Sequence, residues 1–168
     1  ESFTLHGKKS YLNAKNNFYY QKKNIGILDS LHLKSKIYPH RVNTIGKLSE
    51  IMYSGFNSLE VDVIYKQQRD LSYFEVGHDN DALSGITLEE YLNEISTKTV
   101  EKIWLDIKNL NKDNLQQLEQ RLVYLDSIFS LKERSIIETT SGLSSFSHLA
   151  KLGFHTSFYI PTNINDID

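Results

Sequence analysis

No cysteine occurs in this chain of 168 residues, which excludes disulfides and any thiolate-bound metal. That absence does not separate cytosol from periplasm. No apolar run approaches the roughly 18–20 residues of a membrane span. Strong charge of either sign is missing too, since the net charge is -2. The pairs Lys8-Lys9 and Lys22-Lys23 are too small to mark a nucleic-acid surface, so no nucleic-acid partner is expected. The glycines form neither a G-x-G-x-x-G nor a Walker loop, and no G-x-S-x-G elbow is present. No internal repeat or low-complexity tract appears. The chain begins with Glu1 rather than Met, so an N-terminal piece is expected to have been removed, and a signal or anchor with it. Localisation therefore stays open, extracytoplasmic and membrane-peripheral sites included.

What is present is an ordinary globular composition of a length that suits one domain. Residues 1–35 are polar, rich in Lys and Asn, with the cluster Phe18-Tyr19-Tyr20, and read as an arm. Residues 36–168 carry a strand-and-helix rhythm. A first strand is expected at Ile37–His40 and a helix over Thr44–Ser54, with Asn43 or Thr44 as its cap and Gly55 at its end. A second strand runs over Ser58–Tyr65. The next apolar run starts only about eight residues further on, at Leu71, too soon for a parallel crossover. Residues 67–70 should therefore form a hairpin turn, returning an antiparallel third strand that brings His78 beside Glu60. Thr87-Leu88-Glu89-Glu90 is a capping box that opens a short helix. Strand four is expected at Lys102–Lys108, then a helix from Asn111 or Asp113 with Leu115, Leu118, Leu122 and Leu125 inward. Strand five (Ser135–Thr140), a helix (Ser144–Leu152) and strand six (Phe154–Ile160, stopped by Pro161) complete the pattern. The alternation argues for an α/β fold with a parallel sheet or barrel.

Strand alternation puts Glu60 and Asp62 on one face with Ser58, and Trp104, Asp106 and Lys108 on one face of strand four. Such strands normally carry apolar side chains, and buried carboxylates need a counter-charge. Lys108 or Arg41 could supply it through internal salt bridges. With two strand-end histidines added, a divalent metal held by Glu60, Asp62 and Asp106 is the stronger reading. Oxygen donors suit a hard cation, Mg²⁺ first and Ca²⁺ as the alternative. His40 and His78 are candidates for general base and general acid. Lys108 and Arg41 are candidates to hold a phosphate oxygen. Asn43 is equally a helix cap or a ligand. Glu138 and Tyr159 lie on later strands and are weaker candidates for lining a pocket.

These residues carry a resemblance. His40-Arg41, Glu60-x-Asp62, Gly77-His78-Asp79 and Asp106-x-Lys108, in this order, resemble the phospholipase-C-like phosphodiesterase superfamily. Glycerophosphodiester phosphodiesterases show H-R, E-x-D, H-D and E-x-K. Sphingomyelinase D-type phospholipases show H-x-V-N, G-A-N-x-I-E-x-D-V and D-x-K. Here stand His40-Arg41-Val42-Asn43, Gly55-Phe56-Asn57-Ser58-Leu59-Glu60-Val61-Asp62-Val63 and Asp106-Ile107-Lys108. The menorin-like proteins have a similar pattern. The resemblance implies a TIM-barrel-like fold and metal-assisted cleavage of a phosphodiester, with a phospholipid or related compound as substrate. It also implies that Glu60, Asp62 and Asp106 hold the metal while His40 and His78 share base and acid duty. Two departures accompany it. Only residues 79–86 separate His78 from Thr87, too few for the glycerol-binding insertion of glycerophosphodiesterases, which points away from that substrate. Six expected strands in this length leave the barrel without its last strands. A non-catalytic barrel-fold binding module, or an envelope polysaccharide- or lipid-modifying enzyme using the same metal site, are the alternatives.

Overall fold

The computed structural model describes residues 26–69, 71–79, 83–96, 100–139 and 143–158. The chain divides into two units, Glu1–Lys36 and Ile37–Asp168. In the first, residues 26–30 are helical, Lys34 pairs with Asp29 at 2.6 Å, and a 3₁₀ turn spans Lys34–Lys36. The cluster Phe18-Tyr19-Tyr20 lies outside the described residues.

The second unit is an α/β sheet with six strands, β1 (Ser58–Gln68), β2 (Leu71–Gly77), β3 (Leu83–Thr87), β4 (Lys102–Ile107), β5 (Ser135–Thr139) and β6 (His155–Phe158). Their order across the sheet is β3-β2-β1-β4-β5-β6, and among the described residues the sheet does not close. β1 and β2 form the expected antiparallel hairpin, with Gln68 opposite Leu71 and Arg69 at a left-handed φ of 54° in the turn. β4 runs parallel to β1, and β5 and β6 continue in parallel. Five helices interleave: α1 (Ile45–Tyr53), α2 (Leu88–Ser96), α3 (Leu115–Phe129), α4 (Leu131–Arg134) and α5 (Leu143–Lys151).

Local chemistry sets the helix ends. Thr44, not Asn43, caps α1 by accepting from Lys47 N. Gly55, at φ 80°, closes α1 with Gly55 N donating to Met52 O and Phe56 N to Ile51 O, a Schellman ending; Gly153 ends α5 in the same way. The Thr87–Glu90 capping box forms, each residue accepting from the other's backbone N–H. Asn114 stands before α3, while the Asn111 side chain instead accepts from Asp113 N and Asn114 N.

One apolar core results. Leu59, Val61 and Val63 of β1, Ile103, Leu105 and Ile107 of β4, and Ile137 of β5 join Leu48, Tyr91, Ile95, Leu118, Leu122 and Leu149 from the helices. Alternation therefore leaves the opposite face of β4 and β5 to Trp104, Asp106, Ile136 and Glu138.

Two elements differ from expectation. The run Ile37–His40 is not a regular strand. It touches β1 through two backbone bonds, Glu60 N to Pro39 O and Val42 N to Glu60 O, both 2.9 Å. A regular parallel ladder would carry the second bond from the next residue, Arg41. Arg41 instead adopts φ 54°, which bulges the chain out of register. The short strand β3 was not anticipated; it pairs antiparallel with β2 and contains a register shift between Glu75 and Gly77.

Among the described residues no helix is long and apolar enough to cross a membrane.

Candidate active site

The parallel register of β1 and β4 sets Asp62 directly beside Asp106, with Glu60 one step back on the same face as Asp62. One oxygen from each of these three carboxylates lies within 4.8 Å of the others. They line a cleft of about 290 Å³ together with His40, Arg41, His78, Trp104, Lys108 and Glu138. Of the site residues expected from the sequence, His40, Arg41, Glu60, Asp62, His78, Asp106, Lys108 and Glu138 border this one cleft; Asn43 reaches it only through Asp62, and Tyr159 lies outside the described residues.

The contacts within the cleft are specific. Lys108 Nζ pairs with Asp62 Oδ1 at 2.7 Å and also donates to Asp106 Oδ2. Asn43 grips Asp62 from both sides: its amide N–H donates to Oδ2 at 2.7 Å, and its carbonyl accepts from Asp62 N at 3.0 Å. Burial pushes the Asp62 carboxyl up, but the bonds from Lys108 and Asn43 outweigh it and hold the group below the ordinary aspartate value. Burial likewise pulls Lys108 down, yet Asp106 and Asp62 outweigh it and keep the ammonium above the ordinary lysine value. Glu60 has no such cation. Burial, opposed by a bond from Arg41 N and reinforced by Asp62 and Asp106, pushes its carboxyl up to about 7.

The histidines take different partners. His40 is 84% exposed at its side chain, with Nδ1 3.4 Å from Glu60 Oε2. The Arg41 guanidinium, which can only donate, meets His78 Nε2 at 3.0 Å, so that nitrogen is unprotonated in this arrangement. His78 Nδ1 faces Asp79 Oδ2 at 3.4 Å. Arg41 thus approaches the acids through its backbone, while its side chain goes to His78.

Two supporting residues were not singled out in the sequence. Lys47 of α1 forks to His40 O at 2.6 Å and Arg41 O at 2.8 Å, holding the bulge; burial lowers its pKa. A left-handed non-glycine residue costs about 1–2 kcal/mol, and these charge-assisted bonds offset such a cost. Tyr91 of α2 donates its hydroxyl to Val42 O at 2.5 Å from within the core, and burial raises its pKa. Lys47 lies three residues past a cap and Tyr91 lies on a helix face, so neither spacing signals a site.

The donor set suits a hard cation. All three groups are carboxylates, with no soft ligand among them. Asp62 Oδ1 is buried against Lys108 Nζ at 2.7 Å, so an ion bound here would have to displace or share that ammonium. The acidic group could hold a divalent ion.

No protein-family model matches the sequence, and no curated protein matches it. Among solved structures, the fold is similar to a glycerophosphodiester phosphodiesterase from Parabacteroides distasonis, with 18% sequence identity and a TM-score of 0.57. The match covers 69% of this chain and 57% of that one. The chain thus spans less than two thirds of that protein's length. The likeness is one of fold.

Proposed function

We propose that the chain is a metal-dependent phosphodiesterase that cleaves a phospholipid or related phosphodiester. The observation that carries the reading is the convergence of Glu60, Asp62 and Asp106 within 4.8 Å, in one cleft with His40, His78 and Lys108. Glu60, Asp62 and Asp106 would hold the ion, Mg²⁺ by the hardness of the donors. When bound, such an ion supplies neutralisation of charge developing on the phosphate.

The remaining work falls to the chain's own groups. Lys108 offers a positive charge to a phosphate oxygen once it is drawn from Asp62 and Asp106. His78, whose Nε2 accepts from Arg41 in this arrangement, suits the base that takes the proton from the attacking hydroxyl or water once Arg41 turns to the phosphate. His40 borders the cleft beside Glu60 and suits the acid that protonates the leaving oxygen. Arg41 positions His78 and can also meet a phosphate oxygen.

One observation favours a second reading, a non-catalytic binding module of the same fold: Lys108 already pairs with both Asp62 and Asp106. The readings separate in one experiment. Purified protein with Mg²⁺ is assayed on a panel of phosphodiesters, with and without chelator, alongside His40→Ala and His78→Ala. The enzyme reading expects chelator-sensitive turnover, and variants that still bind Mg²⁺ but lose at least about a hundredfold in rate. No turnover on the whole panel would replace it with the binding module.

A further inference from the structure

Glu138 stands apart from the three clustered carboxylates, yet belongs to the same cleft. The register runs Asp62, Asp106, Glu138 across β1, β4 and β5. Adjacent strands lie about 4.8 Å apart, so Glu138 sits one strand spacing beyond the outermost acid of the cluster. Of the cationic side chains lining the cleft, Lys108 is engaged by Asp62 and Asp106, and Arg41 meets His78. Among the described residues, no lysine, arginine or histidine forms an ion pair with Glu138. Its hydrogen-bond partner is Trp104, which lines the same cleft. The Tyr38 ring packs edge-on against Trp104 at 5.6 Å and 78°, which holds the indole in place. One indole N–H fills one of about four acceptor positions on a carboxylate, leaving the rest for a ligand.

The Lys108 charge acts on Glu138 from across the cleft without a direct ion pair, so part of the cost of half-burying this carboxylate remains, and a donor supplied by the ligand would lessen it. We propose that Glu138 is the specificity residue of this cleft, accepting a hydrogen bond from a hydroxyl or ammonium group carried close to the phosphorus on one ester arm of the substrate. The inference rests on the phosphodiesterase reading above and narrows it to diesters with an O–H or N–H donor about two carbons from the phosphate. Trp104 is the positioning residue that aims the Glu138 carboxylate.

Three monoesters that share a two-carbon arm test it: 2-hydroxyethyl, 2-aminoethyl and ethyl phosphate, each titrated calorimetrically into the full chain with Mg²⁺. The wild-type protein is expected to bind at least one donor-bearing ester about tenfold more tightly than ethyl phosphate. In E138A that preference disappears, and ethyl phosphate binds at least as tightly as before because a negative charge has left the cleft. E138Q keeps the shape and an acceptor oxygen but loses the charge. It therefore keeps a preference for the hydroxyl ester and loses one for the amino ester, which identifies the donor. Equal binding of all three esters by wild type would overturn the role of Glu138 and leave the phosphate site standing. So would an E138Q or E138A protein that loses ethyl phosphate as strongly as the others. Binding of none of the three would overturn both readings.

Discussion

Metal binding by this site should be coupled to one proton, and Glu60 is the reason. Its carboxyl is pushed up to about 7, first by burial and then by Asp62 and Asp106. A cation that uses all three carboxylates must displace that proton whenever the pH lies below about 7. At pH 8 about ten-elevenths of Glu60 is ionised, and at pH 6 about one-eleventh, so apparent Mg²⁺ affinity should fall about tenfold between them. Calorimetry at both pH values, in buffers of different ionisation enthalpy, reads affinity and proton release together. Close to one proton should leave per ion at pH 6 and close to none at pH 8. Glu60→Gln should bind more weakly throughout and flatten the dependence. The sign for stability is the reverse of the usual carboxylate case. The metal-free folded protein holds this proton more tightly than the unfolded chain, whose glutamate titrates near 4.5. Glu60 therefore makes the metal-free protein less stable as pH rises from about 4.5 to about 7. An Mg²⁺ affinity equal at pH 6 and pH 8, with no proton released at either, would refute this account of the site.

Two further perturbations address its scaffold. Tyr91→Phe leaves Val42 O without its donor inside the core and should cost about 1–3 kcal/mol in urea unfolding. Lys47→Met removes the fork to His40 O and Arg41 O and should cost about 1–2 kcal/mol. If Lys47 holds the bulge, turnover should also fall while Mg²⁺ affinity does not, because the three carboxylates lie on β1 and β4 and the lost charge had faced Glu60 and Asp62. An unfolding midpoint unchanged in either variant would count against the role given to that residue.

Much of the fold could be read from local pattern. The eight-residue interval before Leu71 was too short for a crossover, and β1 and β2 are an antiparallel hairpin. The spacing of Leu118, Leu122 and Leu125 marked the buried face of α3, and Thr87–Glu90 marked the start of α2. The run at Ile37–His40 misled because its apolar character survives while its pairing is broken by the Arg41 bulge. The five residues of β3 were missed because Leu83-Ser84-Gly85-Ile86-Thr87 overlaps a capping box and has too little alternation to stand out.

The sequence by itself determined that Glu60, Asp62 and Asp106 share faces of two strands, because the period of two belongs to the strand and needs no partner. It also determined the order of the motifs and the chain lengths between them. Only the tertiary structure decided which strands are neighbours, and hence that Asp62 meets Asp106 and Asp106 meets Glu138 in register. It also decided that Arg41 turns its guanidinium to His78, that Asn43 clasps Asp62, and that Lys108 bridges two acids. Long side chains reach several places from one backbone position, and the partner they take is set by what the rest of the fold has already brought within a few ångströms.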